Sequence, residues 1–113
     1  MKPKTRDPVF LGSLEEQVML AVLRRAEDAY GMNVRRELEQ VTGRDVTIGA
    51  VYVTLDRLEA KGLVASERTA RGDAGTRRVF TVTPQGVSAL ADTRSARERL
   101  WAGVPLRRLL RDA

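Results

Sequence analysis

Apolar residues recur along this chain with two different periods. Between positions 13 and 26, Leu14, Val18, Ala21 and Val22 fall three and four apart, as on one face of a helix, and Met19, Leu20 and Leu23 widen that face. Ser13-Leu14-Glu15-Glu16 reads as a capping box at its start, with Ser13 at the N-cap and Glu16 at N3. The pattern fades near Ala26. Tyr30-Gly31 marks a turn, and Val34, Leu38 and Val41 predict a second helix over 32–41 that Gly43 closes. Thr47 suits the cap of a third helix over 48–61, whose stripe is Ile48, Val51, Leu55 and Leu58, and Gly62 ends it. The period then drops to two. Residues 63–69 and 77–83 read as strands, with Val79 and Thr81 on one side of the second and Phe80 and Val82 on the other. The stretch 70–76 between them, with two Gly and an Asp, is turn chemistry. Thr83-Pro84 opens a fourth helix as N-cap and N1. It carries Val87, Leu90 and Ala91 and, further along, Arg97, Leu100 and Trp101, until Gly103 and Pro105 break it. Leu106, Leu109 and Leu110 give a short amphipathic tail, and residues 1–12, interrupted by Pro3 and Pro8, read as an irregular arm.

Three helices, a two-stranded hairpin and a further helix make an α+β fold of the winged helix-turn-helix kind with an added C-terminal helix. The expected organisation is an arm at 1–12, a winged-helix domain at 13–83, and a C-terminal dimerisation helix and tail at 84–113. A lone hairpin is marginal in water, so this one must pack on the helices, with Leu63, Val64, Phe80 and Val82 as the contacts. The first helix is apolar over a face too wide for a small monomer to cover, which points to a partner surface.

Composition narrows what such a fold does. The chain has 113 residues, about one domain. It contains no Cys and no His, which removes disulfides, thiol catalysis, zinc fingers and imidazole acid–base chemistry together. No apolar run approaches the roughly 20 residues of a membrane helix and no secretory leader is apparent, so a soluble, cytoplasmic protein without a membrane partner is expected. Twenty Lys and Arg against fifteen Asp and Glu give a net charge of +5, and seventeen of the twenty are Arg. Arg is the side chain suited to bidentate phosphate and guanine contacts.

The placement of that charge matters more than its sum. With its apolar stripe subtracted, the third helix begins slim, with Gly49 and Ala50, a shape that can sink into the roughly 12 Å major groove. Thr47 and Ala50 at its start, Thr54 within reach of a base edge or thymine methyl, Arg57 for guanine or phosphate, and Tyr52 for phosphate are the candidate contacts. The hairpin places Arg68, Arg71, Arg77 and Arg78 around its tip, opposed only by Glu67 and Asp73, as a wing that lies on DNA backbone would. Tyr30 at the start of the second helix, and Arg35 and Arg36 within it, complete the set. The opposing reading makes Tyr52 an edge-of-core residue and the arginines solvated guards of an exposed strand edge. No acid, base and nucleophile set is visible, and Gly72-Asp73-Ala74-Gly75 lacks the Lys-Ser/Thr of a phosphate loop. No enzyme, cofactor or metal site is expected.

Three segments carry a specific resemblance. Leu11-Gly12-Ser13-Leu14-Glu15, then Glu27-Asp28-Ala29-Tyr30-Gly31, then residues 48–64 around Tyr52-Leu55-Arg57-Leu58-Glu59-Lys61-Gly62 resemble the PadR family of bacterial transcriptional regulators. Gly75, Arg77 and Arg78 leading into Phe80-Thr81-Val82-Thr83-Pro84-Gln85-Gly86 continue it, over about residues 11–90. The resemblance implies a homodimeric repressor of the compact branch that presents two recognition helices to a palindromic operator in double-stranded DNA. It implies that the C-terminal helix packs on the partner subunit together with the first helix, making Leu14, Val18, Leu90, Leu100 and Trp101 interface candidates. Some compact members bind flat aromatic drugs through a Trp between their C-terminal helices. Trp101 falls about a turn late for that role, so a small-molecule effector there competes with simple dimer packing. Thr76 departs from the Gly or Arg common at that wing position. The alternative function, from another class, is a winged-helix module for protein–protein assembly with incidental DNA affinity.

Overall fold

A computed structural model describes residues 7–70 and 75–113. Positions 71–74 of the turn expected at 70–76, with Arg71, lie outside the described residues, and Ala70 and Thr76 belong to the strands. Helix α1 spans Ser13–Arg25 and passes through a short 3-10 turn, Ala26–Asp28, to α2 at Gly31–Thr42 and α3 at Ile48–Ala60. Strands β1 (Val64–Ala70) and β2 (Thr76–Val82) follow, then α4 (Pro84–Trp101) and α5 (Leu106–Asp112).

Local chemistry fixes most of these boundaries. Thr47 caps α3 by accepting the Ala50 N–H at 3.1 Å, and Thr83 caps α4 by accepting the Gly86 N–H at 3.0 Å, with Pro84 as first helical residue. Gly43 ends α2 with φ 70°, a left-handed conformation that glycine adopts without steric cost. The start of α1 differs from expectation. Its cap is Gly12, whose N–H donates to Glu15 Oε1 at 3.0 Å. Glu16, expected in that role, is instead buried and accepts from Arg97 of α4 at 2.6 Å.

The core is a single cluster in which Val18, Met19 and Val22 of α1, Val34 and Leu38 of α2, Val51, Leu55 and Leu58 of α3 and Val64 and Phe80 of the hairpin meet. Phe80 is wholly buried, and burying a side chain of that size stabilises by about 1.5–3 kcal/mol. Val41, expected on the inner stripe of α2, is 55% exposed.

The hairpin is antiparallel, with Val64 opposite Val82, Arg68 opposite Arg78 and Ala70 opposite Thr76. It is also tied to the helices by its backbone. Tyr30 bridges to Val79, and the Phe80 N–H donates to Ala29 O at 2.9 Å. Ion pairs link the helices to one another: Glu37 of α2 takes Arg24 and Arg25 of α1 at 2.6 and 2.8 Å, and Lys61 after α3 reaches Glu15 of α1 at 2.9 Å. The arm lies along α4, where the Leu11 N–H donates to Thr93 Oγ1 and the Val9 N–H to Asp92 Oδ2, both at 3.0 Å. The buried side of α4 is Gly86, Ala89 and Thr93. Val87 and Ala91 of its apolar stripe therefore face outward, while Leu90 is half-buried against the core.

Candidate nucleic-acid interface

The first turn of α2, the outer side of α3 and the hairpin enclose a cleft of about 400 Å³ lined by Tyr30, Met32, Arg36, Tyr52, Arg68, Thr76, Arg77 and Arg78. Its geometry depends on Gly31. A Cβ there would lie 2.5 Å from the Tyr52 hydroxyl and 2.8 Å from Cε1, so only glycine lets the Tyr52 ring lie across the start of α2. The Arg77 guanidinium stacks on the Tyr30 ring, 4.1 Å from its centroid, an attraction between cation and ring quadrupole that fixes the planar fork in place. Arg36 Nη1 donates to Asn33 Oδ1 at 3.1 Å, and Asn33 in turn donates to Asp28 O. Arg68 is exposed on β1, directly opposite Arg78.

Arg78 is committed differently. It donates to Asp56 Oδ1 at 3.1 Å and Glu59 Oε1 at 2.7 Å, and lies 4.8 Å over the Phe80 ring. Glu59 also accepts from the Ser66 N–H at 3.1 Å and its hydroxyl at 2.8 Å. The acidic side of α3 thus holds the wing through Arg78, which sets the wing's angle to α3 and leaves less of that charge for a ligand. The net positive face of the cleft comes from Arg36, Arg68 and Arg77.

Several expected contacts lie elsewhere. Thr54 does not face solvent. It is 6% exposed, and its hydroxyl donates to Ala50 O at 2.8 Å, so it belongs to the packed side of α3. Arg35 points to the connector between α2 and α3, donating to Val46 O at 2.8 Å with Asp45 at 3.8 Å, and so braces the turn rather than lining the cleft. Arg57 is exposed on the side of α3 nearest the start of α1, where its charge acts on Glu15. Thr47 is exposed but engaged as the α3 cap, and Ala50 is half-buried. Val18 is wholly inside the protomer core and offers nothing to a second subunit. The outer side of α1 is Leu20 and Leu23, 42% and 47% exposed. They line a groove with Val87, Leu90, Ala91 and Arg97 of α4. Leu14 is half-buried against the core, while Leu100 and Trp101 are 77% and 54% exposed.

Sequence reasoning passed over Met32 and Thr76 of the cleft, and Asp56 and Glu59 as partners of Arg78. A signal existed for the last pair, since Asp56 and Glu59 lie three apart on α3, one helical turn, and so share a side. Among the described residues, the carboxyls of Glu15 and Glu37 are displaced from their ordinary range. Burial opposes ionisation of Glu15, but the Lys61 ammonium and the Gly12 N–H both donate to it and the charges of Lys61 and Arg57 add to them, holding its carboxyl below the ordinary 4.5. The Arg24 hydrogen bond does the same for Glu37 against a smaller desolvation, with Arg25 adding to it. Both belong to the scaffold rather than to the cleft. Among the described residues no cluster of acidic side chains is arranged to hold a metal ion, and no helix is long and apolar enough to cross a membrane.

Comparison with known proteins agrees with this geometry. A sequence profile of the Transcriptional regulator PadR-like family matches residues 19–92. The curated Transcriptional regulator Rv3488 of Mycobacterium tuberculosis is 41% identical over 85 residues, covering 74% of this chain and 78% of that protein. The crystal structure of a PadR family transcriptional regulator from Eggerthella lenta is 29% identical, with TM-score 0.65 over 86% of this chain and 87% of that one. A PadR-like transcription factor from Bacteroides fragilis is 26% identical, with TM-score 0.70 over 80% and 85%.

Proposed function

The chain belongs to the PadR-like family of transcriptional regulators, and we propose that it acts as a homodimeric repressor that holds a palindromic operator with one α3 and one wing per half-site. The observation that carries this reading is the cleft in which Tyr30, Tyr52, Arg36, Arg68 and Arg77 converge. Its donors come from three different elements held rigidly by the Gly31–Tyr52 contact and the Arg78 network. They suit a run of backbone phosphates, whose neutralisation releases counterions and supplies much of the affinity. The slim start of α3 at Gly49 and Ala50 then enters the major groove beside it, and Arg57 serves the far side of the same helix.

The dimer rests on what the protomer leaves uncovered. Residues 97–113 are all exposed, and they include Leu100, Trp101, Leu106, Leu109 and Leu110. The groove of Leu20, Leu23, Val87 and Leu90 between α1 and α4 is continuous with that surface. A second copy of α4 covers both, placing the two recognition helices about one turn of DNA apart, roughly 34–36 Å. A planar effector would enter beside Trp101, the single Trp of the chain.

A gel shift with DNA from upstream of its own gene, against excess random competitor, tests the reading. Operator binding at least about tenfold tighter than random supports it, since specific and non-specific affinities commonly differ by roughly 10³ or more. Equal binding would instead favour an assembly module. Light scattering on the eluting peak checks the dimer: twice the chain mass at micromolar concentration, with a blue shift of Trp101 emission as concentration rises. A monomer with unchanged emission would remove the dimer.

A further inference from the structure

We propose that Val53 reads a pyrimidine 5-methyl group on the floor of the major groove, an inference that rests on α3 being the DNA-facing helix. Gly49, Val53, Asp56 and Ala60 succeed one another at helical spacing along the exposed side of α3. Val53 is the largest apolar group on that line and is 57% exposed. Packing within the protomer does not account for it. A β-branched side chain is also a poorer helix former than the Ala, Lys or Glu that exposed helix positions favour.

Its surroundings bring it to the groove floor. One turn earlier, Gly49 has no side chain, and a Cβ built there would meet only Thr47 Oγ1, at 4.0 Å. The helix surface is bare at that level, so base edges can approach Val53. One turn later, Asp56 accepts from Arg78 at 3.1 Å, which draws the carboxylate toward the wing and compensates its charge. Arg57, exposed beside it, adds attraction for the DNA. Val53 has neither donor nor acceptor. Among major-groove base edges the apolar feature is the thymine 5-methyl, and 5-methylcytosine presents the same group. An unmethylated pyrimidine or a purine edge opposite Val53 loses water without gaining a partner, which is the source of discrimination. Thr54, the residue the sequence suggested for a thymine methyl, is buried and unable to serve.

The test begins with selection of a preferred operator from a random duplex library by the full-length protein. Each thymine of one half-site is then replaced by deoxyuridine, which deletes only the methyl. In a parallel arm that T·A pair becomes C·G or 5-methylC·G. The wild-type chain is expected to lose about 3- to 10-fold in affinity at one thymine position, in line with burial of about one to two CH₂ equivalents, and 5-methylcytosine should bind better than cytosine there. Val53→Ala, at an exposed helical position where Ala is the better helix former, retains the native circular dichroism spectrum and becomes indifferent to the methyl. Indifference of the wild-type chain to uridine at every position, or an equal loss in Val53→Ala, overturns the role of Val53 and leaves the regulator reading intact. Failure of the library to enrich any sequence overturns both.

Discussion

Gly31→Ala separates the stability of the fold from the function of the cleft. The added Cβ collides with Tyr52 Cζ and meets the hydroxyl at 2.5 Å and Cε1 at 2.8 Å, where ordinary contact begins at 3.4 Å, so that the outer end of the ring must retreat, by at least 0.9 Å at the hydroxyl (3.4 less 2.5). The obstacle is the far end of a side chain that is itself 37% exposed, so it yields without moving the backbone. Forcing Tyr52 off its rotamer costs about 0.5–1.5 kcal/mol. Replacing Gly by Ala in a helix returns up to about 1 kcal/mol. The two nearly cancel, and the urea midpoint should move by less than the equivalent of about 1 kcal/mol. DNA affinity should not be spared. A hydrogen bond from the Tyr52 hydroxyl to a phosphate is worth about 1.5–3 kcal/mol, and its displacement predicts a loss of about tenfold or more in a fluorescence anisotropy titration with operator DNA. A double-mutant cycle isolates the cause: in a Tyr52→Ala background, Gly31→Ala should cost nothing further. An undiminished second loss in that background, or a stability drop above about 2 kcal/mol, would refute the reasoning.

Gly86→Ala should behave in the opposite way, because a Cβ there collides with the Leu63 carbonyl oxygen, which is backbone, and meets Val82 Cγ1 at 2.7 Å. That oxygen also accepts the Thr83 N–H at 3.1 Å, so α4 cannot shift without losing its start. A destabilisation of about 3 kcal/mol, at the upper end for overpacking, is expected in urea unfolding followed by circular dichroism, and a change under 1 kcal/mol would contradict this packing. Because the folded forms of Glu15 and Glu37 ionise below the ordinary 4.5, their stabilisation is complete above that pH and is lost as pH falls through the lowered values. The urea midpoint should therefore drop below pH 4.5, and the Glu15→Gln, Glu37→Gln double variant should show a flatter acid limb; an unchanged limb would assign the acid sensitivity elsewhere. Phe80→Ala should cost about 3–5 kcal/mol, as for other fully buried aromatics, and a cost below 2 kcal/mol would mean the hairpin is not anchored through this ring.

What was legible in the sequence was whatever depends on neighbours a few residues apart. The Thr47 and Thr83 caps, the Gly43 stop, the stripe of Val51, Leu55 and Leu58 and the inward Phe80 are all of this kind, and all are found. The errors share a different origin. Glu16 was read as a cap because its partner, Arg97, is 81 residues away and distance in sequence hides it. Thr54 was read as exposed because it is polar. Around the helix it lies only about 40° from Leu58, and a bond to its own backbone at Ala50 satisfies the hydroxyl, so burial costs it little. Arg35 and Arg36 are adjacent and chemically alike, and only the position of the Val46 carbonyl decides which one braces the turn. Arg78 looked like one more wing cation because Asp56 and Glu59 come to it through the fold. Val41 and Val18 show the limit of a periodic stripe, which gives a face but not what covers it.

Salt dependence tests the central claim, that the wing and its cleft grip the DNA backbone, most directly. Operator affinity measured by anisotropy across a range of salt concentrations should fall linearly on logarithmic axes, with a slope of about −0.9 for each phosphate neutralised. Arg68→Ala, an exposed change on β1, should flatten that slope by about 2 in a dimer that loses one contact per wing, and should weaken operator and random DNA alike. The Arg68→Ala, Arg77→Ala double variant should flatten it further, and a slope identical to that of the wild-type chain in both variants would mean that the wing does not touch phosphate and that the account of this surface is wrong.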